Sequence, residues 1–141
     1  MYKFIEDVAM ADVAFEASGK TLPFLFREAA LAVTNTMVKD LKSVKQKVMK
    51  EVNLESDNLE FLFHNFLQQI VLFKDIEQLL FSKFVVKIQK QKERYSLNAK
   101  FYGEKLDPKR HELLVDVKAI TWHLFELKKD KMWRARVILD I

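Results

Sequence analysis

The chain has 141 residues, half of them hydrophobic and twelve of them Phe, enough for a single domain spanning residues 1–141 with a large aromatic core. It contains no cysteine, which excludes disulfides, thiolate metal sites and cysteine nucleophiles. The net charge of +4, from 24 basic and 20 acidic residues, is too slight by itself to mark a nucleic-acid binder, and no run of 18 apolar residues or signal-like segment occurs, so a cytoplasmic protein without a membrane partner is expected.

Residues 10 to 17 alternate, with Ala11, Val13, Phe15 and Ala17 on one face and Met10, Asp12, Ala14 and Glu16 on the other. This predicts a half-buried strand from which Asp12 points away from the core. After a turn at Ser18-Gly19-Lys20, Thr21 is suited to cap a helix and Pro23 to sit in its first turn. The helix is predicted from Leu22 to Met37, with Leu25, Phe26, Ala29, Ala30, Val33 and Met37 on one stripe. Strand, Gly19-Lys20-Thr21 and helix imitate a phosphate-binding loop, but Ala14 stands where that loop needs its first glycine.

Alternation from Val44 to Leu54 predicts a second strand. Asp57 is the expected N-cap of a second helix, with Glu60 as its capping partner. That helix is predicted from Asn58 to about Phe73, with His64 on its polar stripe as a surface residue. Period two returns from Leu80 to Ile88 and from Tyr95 to Phe101, where Gly103 is expected to end the strand. The charged connection from Glu104 to Arg110 holds the turn pair Asp107-Pro108. A long strand is then predicted over 113–127, with Val117 and Ala119 on its core face, and Lys118 on the other face with Asp116, Ile120 and Trp122. The same alternation runs His123 on in the core-facing register. A last strand, 132–141, puts Trp133, Ala135, Val137, Leu139 and Ile141 on one face and Met132, Arg134, Arg136, Ile138 and Asp140 on the other. The expected fold class is α+β, a largely antiparallel sheet of about six strands with two helices packed on one face.

Few residues suggest chemistry. The serines lack a nucleophile elbow, and His64, His111 and His123 lack helical metal-ligand spacing. Two glycines cannot form a nucleotide cradle. Lys118 and His123 fall on opposite faces of a regular strand and so cannot share an acid–base site. An enzyme is not expected. Asp12 and Asp140 both project from the non-core side. If the first and last strands are neighbours, their carboxylates converge with the terminal carboxylate of Ile141, an oxygen set suited to Ca²⁺ or Mg²⁺, with Lys118 as a counter-charge. Two basic clusters, Lys83 to Arg94 and Lys128 to Arg136, supply an alternative: a chaperone-like or RNA-associated binding module without a metal.

Several segments together carry a resemblance: Ala11-Asp12-Val13, Gly19-Lys20-Thr21-Leu22, Gly103-Glu104, Arg110-His111-Glu112, Val117 to His123, and the terminal Leu139-Asp140-Ile141. Over nearly its whole length the chain resembles archease. The resemblance implies a non-enzymatic activator of an RtcB-type RNA ligase in tRNA splicing or RNA repair. Such an activator promotes GTP-dependent guanylylation of the ligase and its multiple turnover, and meets RNA through the ligase complex. It further implies a divalent cation, Ca²⁺ foremost, held by Asp12 and Asp140 with Ile141 contributing its terminus, and Lys118 as a functional residue nearby. Glu104, His111 and His123 match family positions without an assigned role. The chain departs from the family at Ala9-Met10-Ala11-Asp12, where His-Thr-Ala-Asp is usual, and at Pro23 and Phe24, which replace acidic residues.

Overall fold

The computed structural model describes residues 1–5 and 12–141. Its elements are β1 (Tyr2–Ile5), β2 (Asp12–Gly19), α1 (Leu22–Met37), β3 (Val48–Ser56), α2 (Leu59–Glu77), β4 (Leu79–Gln91), β5 (Arg94–Lys105), β6 (Ala119–Ile120), β7 (Glu126–Lys129) and β8 (Trp133–Asp140). The expected α+β class holds. The strands divide between two antiparallel sheets, one ordered β1-β2-β8-β6 with β7 also paired to β8, the other ordered β3-β5-β4.

The first helix occupies its predicted span because its signals are local. The Thr21 hydroxyl accepts the Phe24 amide at 3.3 Å, and Pro23 stands where no intrahelical donor is needed. Three alanines, Ala29, Ala30 and Ala32, lie fully buried on it, so its backbone can lie close to β2 of one sheet and β4 of the other. The second helix packs on β3, β4 and β5 of one sheet and on β6 of the other, and so joins the two sheets. Its N-cap is Asn58 and not Asp57, the Asn58 Oδ1 accepting the Phe61 amide at 3.0 Å. It runs past the expected end at Phe73 to Glu77, where Gln78 turns left-handed at φ 56°. Between the sheets and helices the fully buried rings of Phe15, Phe26, Phe63, Phe66, Phe81 and Phe101 form the centre of the core. Phe26 and Phe63 lie 4.7 Å apart, and each such ring contributes roughly 1.5–3 kcal/mol on burial.

Three further expectations are corrected. The strand expected from Val44 begins at Val48, because Asp40 caps a short 3₁₀ turn at Leu41–Ser43. Gly103 does not end β5, which pairs on to Lys105. It lies opposite Phe81, beside a bulge, where a Cβ would fall 1.8 Å from the Leu80 carbonyl oxygen, so glycine is required by the approach of two backbones. Residues 113–127 do not form one strand. Only Ala119–Ile120 and Glu126–Lys129 pair with β8, and between them Leu124 turns at φ 52°. The buried residues Val117 and Ile120 are three apart, which no regular strand permits on one face.

Candidate functional site

The register of β2 on β8 runs without a slip from Asp12 opposite Asp140 to Gly19 opposite Trp133. Phe15, Ala17, Ala135, Val137 and Leu139 are buried on one side, and Ala14 and Ile138 are buried on the other, so that the face expected to lie away from the core is itself partly covered. Asp12 and Asp140, even-numbered partners directly across the pair, therefore share the other side, with Cβ atoms ~4.5–5.5 Å apart as in any such pair. On the far edge of β8, Ala119 is opposite Asp140 and the Lys118 amide donates to the Asp140 carbonyl at 2.7 Å. Asp140 is thus the middle member of a three-strand row. That row assigns Ala119, and not Lys118, to the side shared with Asp140, while Ile120 pairs with Leu139 towards the core. Lys118 is exposed and precedes the two-residue strand, so strand alternation does not set its direction. Ile141 follows β8 half-buried. The expected strand residues Met10 and Ala11, and the Ala9-Met10-Ala11 run before Asp12, lie outside the described residues. Among the described residues no three or more His, Asp or Glu side chains gather into a cluster.

The segment leading into this row is held by α2. Lys74, with only 7% of its side chain exposed, donates to Asp116 Oδ1 at 2.6 Å, to the Val117 carbonyl at 2.7 Å and to Asp75. Burial alone would push its ammonium down, but the hydrogen bonds to Asp116 and Asp75 outweigh that and raise its pKa. Two turns earlier, Gln68 Oε1 accepts the Ile120 amide at 3.1 Å and His64 Nε2 donates to the Ile120 carbonyl at 2.7 Å. His64 is therefore not a solvated surface residue. It stacks on Trp122 with ring centroids 4.0 Å apart, and burial pushes its pKa down despite the bond to Ile120. His123, expected to face the core, is exposed in the turn that follows.

A second cluster, anticipated only as matching positions without roles, forms around Glu104, whose side chain is 4% exposed. Its carboxylate accepts the Lys45 amide at 2.7 Å, Arg110 Nη2 at 2.5 Å and His111 Nε2 at 2.9 Å. The Asp107 amide donates to His111 Nδ1 at 2.9 Å, so that nitrogen has a lone pair and the proton is on Nε2. Burial would raise the Glu104 pKa, but the bonds from Arg110, the Lys45 amide and His111 prevail and lower it to about 2. The group braces β5, the 45–47 segment and the loop at 107–111 against one another. No sequence period marks it, because its members come from a strand and two separate connecting segments.

Among the described residues, four of the ten basic side chains in the two clusters meet local carboxylates, and others lie over rings. Arg134 meets Asp130 at 3.3 Å, and Arg136 and Lys128 meet Glu126 at 2.6 and 2.9 Å. Arg94 meets Glu55 at 3.2 Å, while Lys83 and Lys90 lie over Tyr102 and Tyr95. Charge already paired within the fold is poorly placed to neutralise phosphates. No helix among the described residues is long and apolar enough to cross a membrane.

The sequence and the fold are similar to those of known proteins. The archease protein of Pyrococcus abyssi is 41% identical over 133 residues, 93% of this chain and 93% of that protein. That of Methanosarcina mazei is 34% identical over 142 residues, 99% of this chain and 95% of that protein. The solution structure of Methanobacterium thermoautotrophicum protein 1598 superposes with a TM-score of 0.85 at 35% identity, covering 99% of this chain and 98% of that one. The crystal structure of a Thermotoga maritima archease, described as a possible chaperone, shares the fold with a TM-score of 0.61 at 18% identity, covering 94% and 93%. The family model described as the Archease protein family (MTH1598/TM1083) matches residues 2–141, and with relatives this similar over nearly their whole length, the chain belongs to the archease family.

Proposed function

We propose that the protein is a non-catalytic activator of an RtcB-type RNA ligase, promoting the GTP-dependent guanylylation that lets the ligase turn over repeatedly. The reading rests on family membership and on one structural observation, the alignment of Asp12 directly opposite Asp140. Two carboxylates facing each other across an antiparallel pair repel unless a cation lies between them. Their hard oxygen donors fit a divalent cation, and Ca²⁺ suits them best because it accepts irregular oxygen sets completed by carbonyls and water. Asp12 and Asp140 would hold it, with the terminal carboxylate of Ile141 as a third donor. When bound, the cation would neutralise the two carboxylates and fix the end of β8. Lys118, exposed beside them, supplies an amine to the ligase-facing surface, and RNA is met through the ligase complex. Cytoplasmic residence follows from that partnership.

The experiment supplies the purified protein, GTP and Mn²⁺ to the RtcB-type ligase of the same organism. Guanylylated ligase and product per ligase should both rise, and Asp12→Ala, Asp140→Ala and Lys118→Ala should each reduce the effect. No stimulation by the unaltered protein overturns the reading. A chaperone-like role of the kind named for the Thermotoga maritima protein would instead show as suppressed aggregation of unrelated unfolded proteins, indifferent to Asp12 and Asp140.

A further inference from the structure

The strand that completes the Asp12–Asp140 row from its far side is only two residues long, and a ladder this short cannot hold itself in place. Its inner edge is paired: the Lys118 amide donates to the Asp140 carbonyl at 2.7 Å and the Thr121 amide to the Ile138 carbonyl at 3.0 Å. Among the described residues its outer edge has no neighbouring strand, and the backbone groups of Ile120 that point there are taken by side chains of α2. Gln68 supplies the acceptor and His64 the donor, as the next strand of a sheet would. Four residues upstream of Ile120, Lys74 binds Asp116 and the carbonyl of Val117. Residues 116 to 120 are therefore pinned to α2 at both ends, with Lys118 at the middle of the span.

We infer that His64, Gln68 and Lys74 are positioning residues: α2 substitutes for a missing sheet strand, and by clamping residues 116–120 it fixes Lys118 and Ala119 on Asp140. The inference deepens the reading of Asp12, Asp140 and Lys118 as the functional site and rests on it for its consequence, but the clamp itself can be measured without that reading. None of the three clamping residues needs to touch the cation or the ligase. They act through the Lys118–Asp140 backbone bond, as outer-shell groups orient the ligands of a metal.

Two measurements on the full chain test it: amide hydrogen exchange at Lys118 and Thr121, and Ca²⁺ binding by titration calorimetry. Gln68→Leu removes the acceptor for the Ile120 amide, and Lys74→Met removes the ammonium while keeping the aliphatic stem. Each should speed exchange at Lys118 by about tenfold, leave amides of β5 unchanged and weaken Ca²⁺ binding by about tenfold. Gln68→Glu retains an acceptor oxygen and should restore both, a rescue that general loosening of the helix would not give. Should Lys74→Met fail to fold, the half-buried Gln68 pair carries the test. Unchanged protection of Lys118 in Gln68→Leu overturns the clamp. Faster exchange with unaltered Ca²⁺ affinity overturns its role in the site. If the unaltered protein binds no Ca²⁺, the cation reading fails by itself, and exchange at Lys118 still decides whether α2 positions that residue.

Discussion

Glu104 and His111 meet at 2.9 Å in the interior, with the imidazole donating through Nε2 because the Asp107 amide occupies Nδ1. The pair locks the loop after β5 to the strand it leaves, and a charged carboxylate persists there only because Arg110 and the Lys45 amide also donate to it.

Acid should therefore loosen the fold in a defined window. The folded pKa of Glu104 is lowered, to about 2, from an ordinary value of 4.5. Its contribution to stability is fully present above the ordinary value and is lost as pH falls from there towards the folded one. Thermal unfolding followed by circular dichroism between pH 6 and about 3 should show the midpoint falling below about pH 4.5, with a flatter dependence in Glu104→Gln. At pH 7 that variant should be less stable by about 1–3 kcal/mol, since an amide with one acceptor oxygen replaces the buried carboxylate that accepts from Arg110, His111 and the Lys45 amide.

Gly103→Ala should be costly although it adds one methyl group. The added Cβ would meet the Leu80 carbonyl oxygen and carbon at 1.8 and 2.7 Å, backbone atoms that cannot turn aside. We expect a loss of about 2 kcal/mol or more in urea unfolding, from overpacking at the β4–β5 bulge. A loss below about 0.5 kcal/mol would mean that the two backbones separate easily there.

Asp12 and Asp140 should make stability depend on cation. In chelator, Asp140→Asn should be as stable as the unaltered protein or more so, because a facing like charge is removed. Added Ca²⁺ should raise the melting temperature of the unaltered protein and not that of Asp12→Ala or Asp140→Asn. Equal responses of all three proteins to Ca²⁺ would place any bound cation elsewhere.

Phe66 is fully buried, 5.3 Å from Phe26 and 5.6 Å from Phe101, and so joins both helices to the second sheet. Phe66→Ala should destabilise by about 3–5 kcal/mol in chemical denaturation. Phe61, on the same helix but 59% exposed, should cost less than about 1 kcal/mol on the same change.

What could be read from the sequence was whatever is decided by neighbours along the chain. The first helix was legible from Thr21 to Met37 because its cap, its proline and its apolar stripe are all local. The shared face of Asp12 and Asp140 followed from period two in β2 and β8. Residues 113–127 were misread because their backbone partners are remote: Leu114 donates to Met37, and Ile120 bonds to His64 and Gln68. Lys74 gave no signal, since a lysine near a helix end ordinarily faces solvent and its partner Asp116 stands 42 residues on. The division into two sheets was equally hidden, because alternation reveals which face of a strand is buried and not which strand lies beside it.

The central position of β8 has a consequence for how the molecule is made. Of all the strands it lies latest in the chain, yet β2 pairs along one of its edges and β6 and β7 divide the other. During synthesis β6, β7 and the edge of β2 that β1 leaves open wait for residues 133–140 to emerge, whereas β4 and β5 close through a tight turn at Lys92 as soon as they appear. Pulse-labelled hydrogen exchange during refolding should find the β4–β5 amides protected before those of β2 and β8. Simultaneous protection would show instead that the two sheets form in one step.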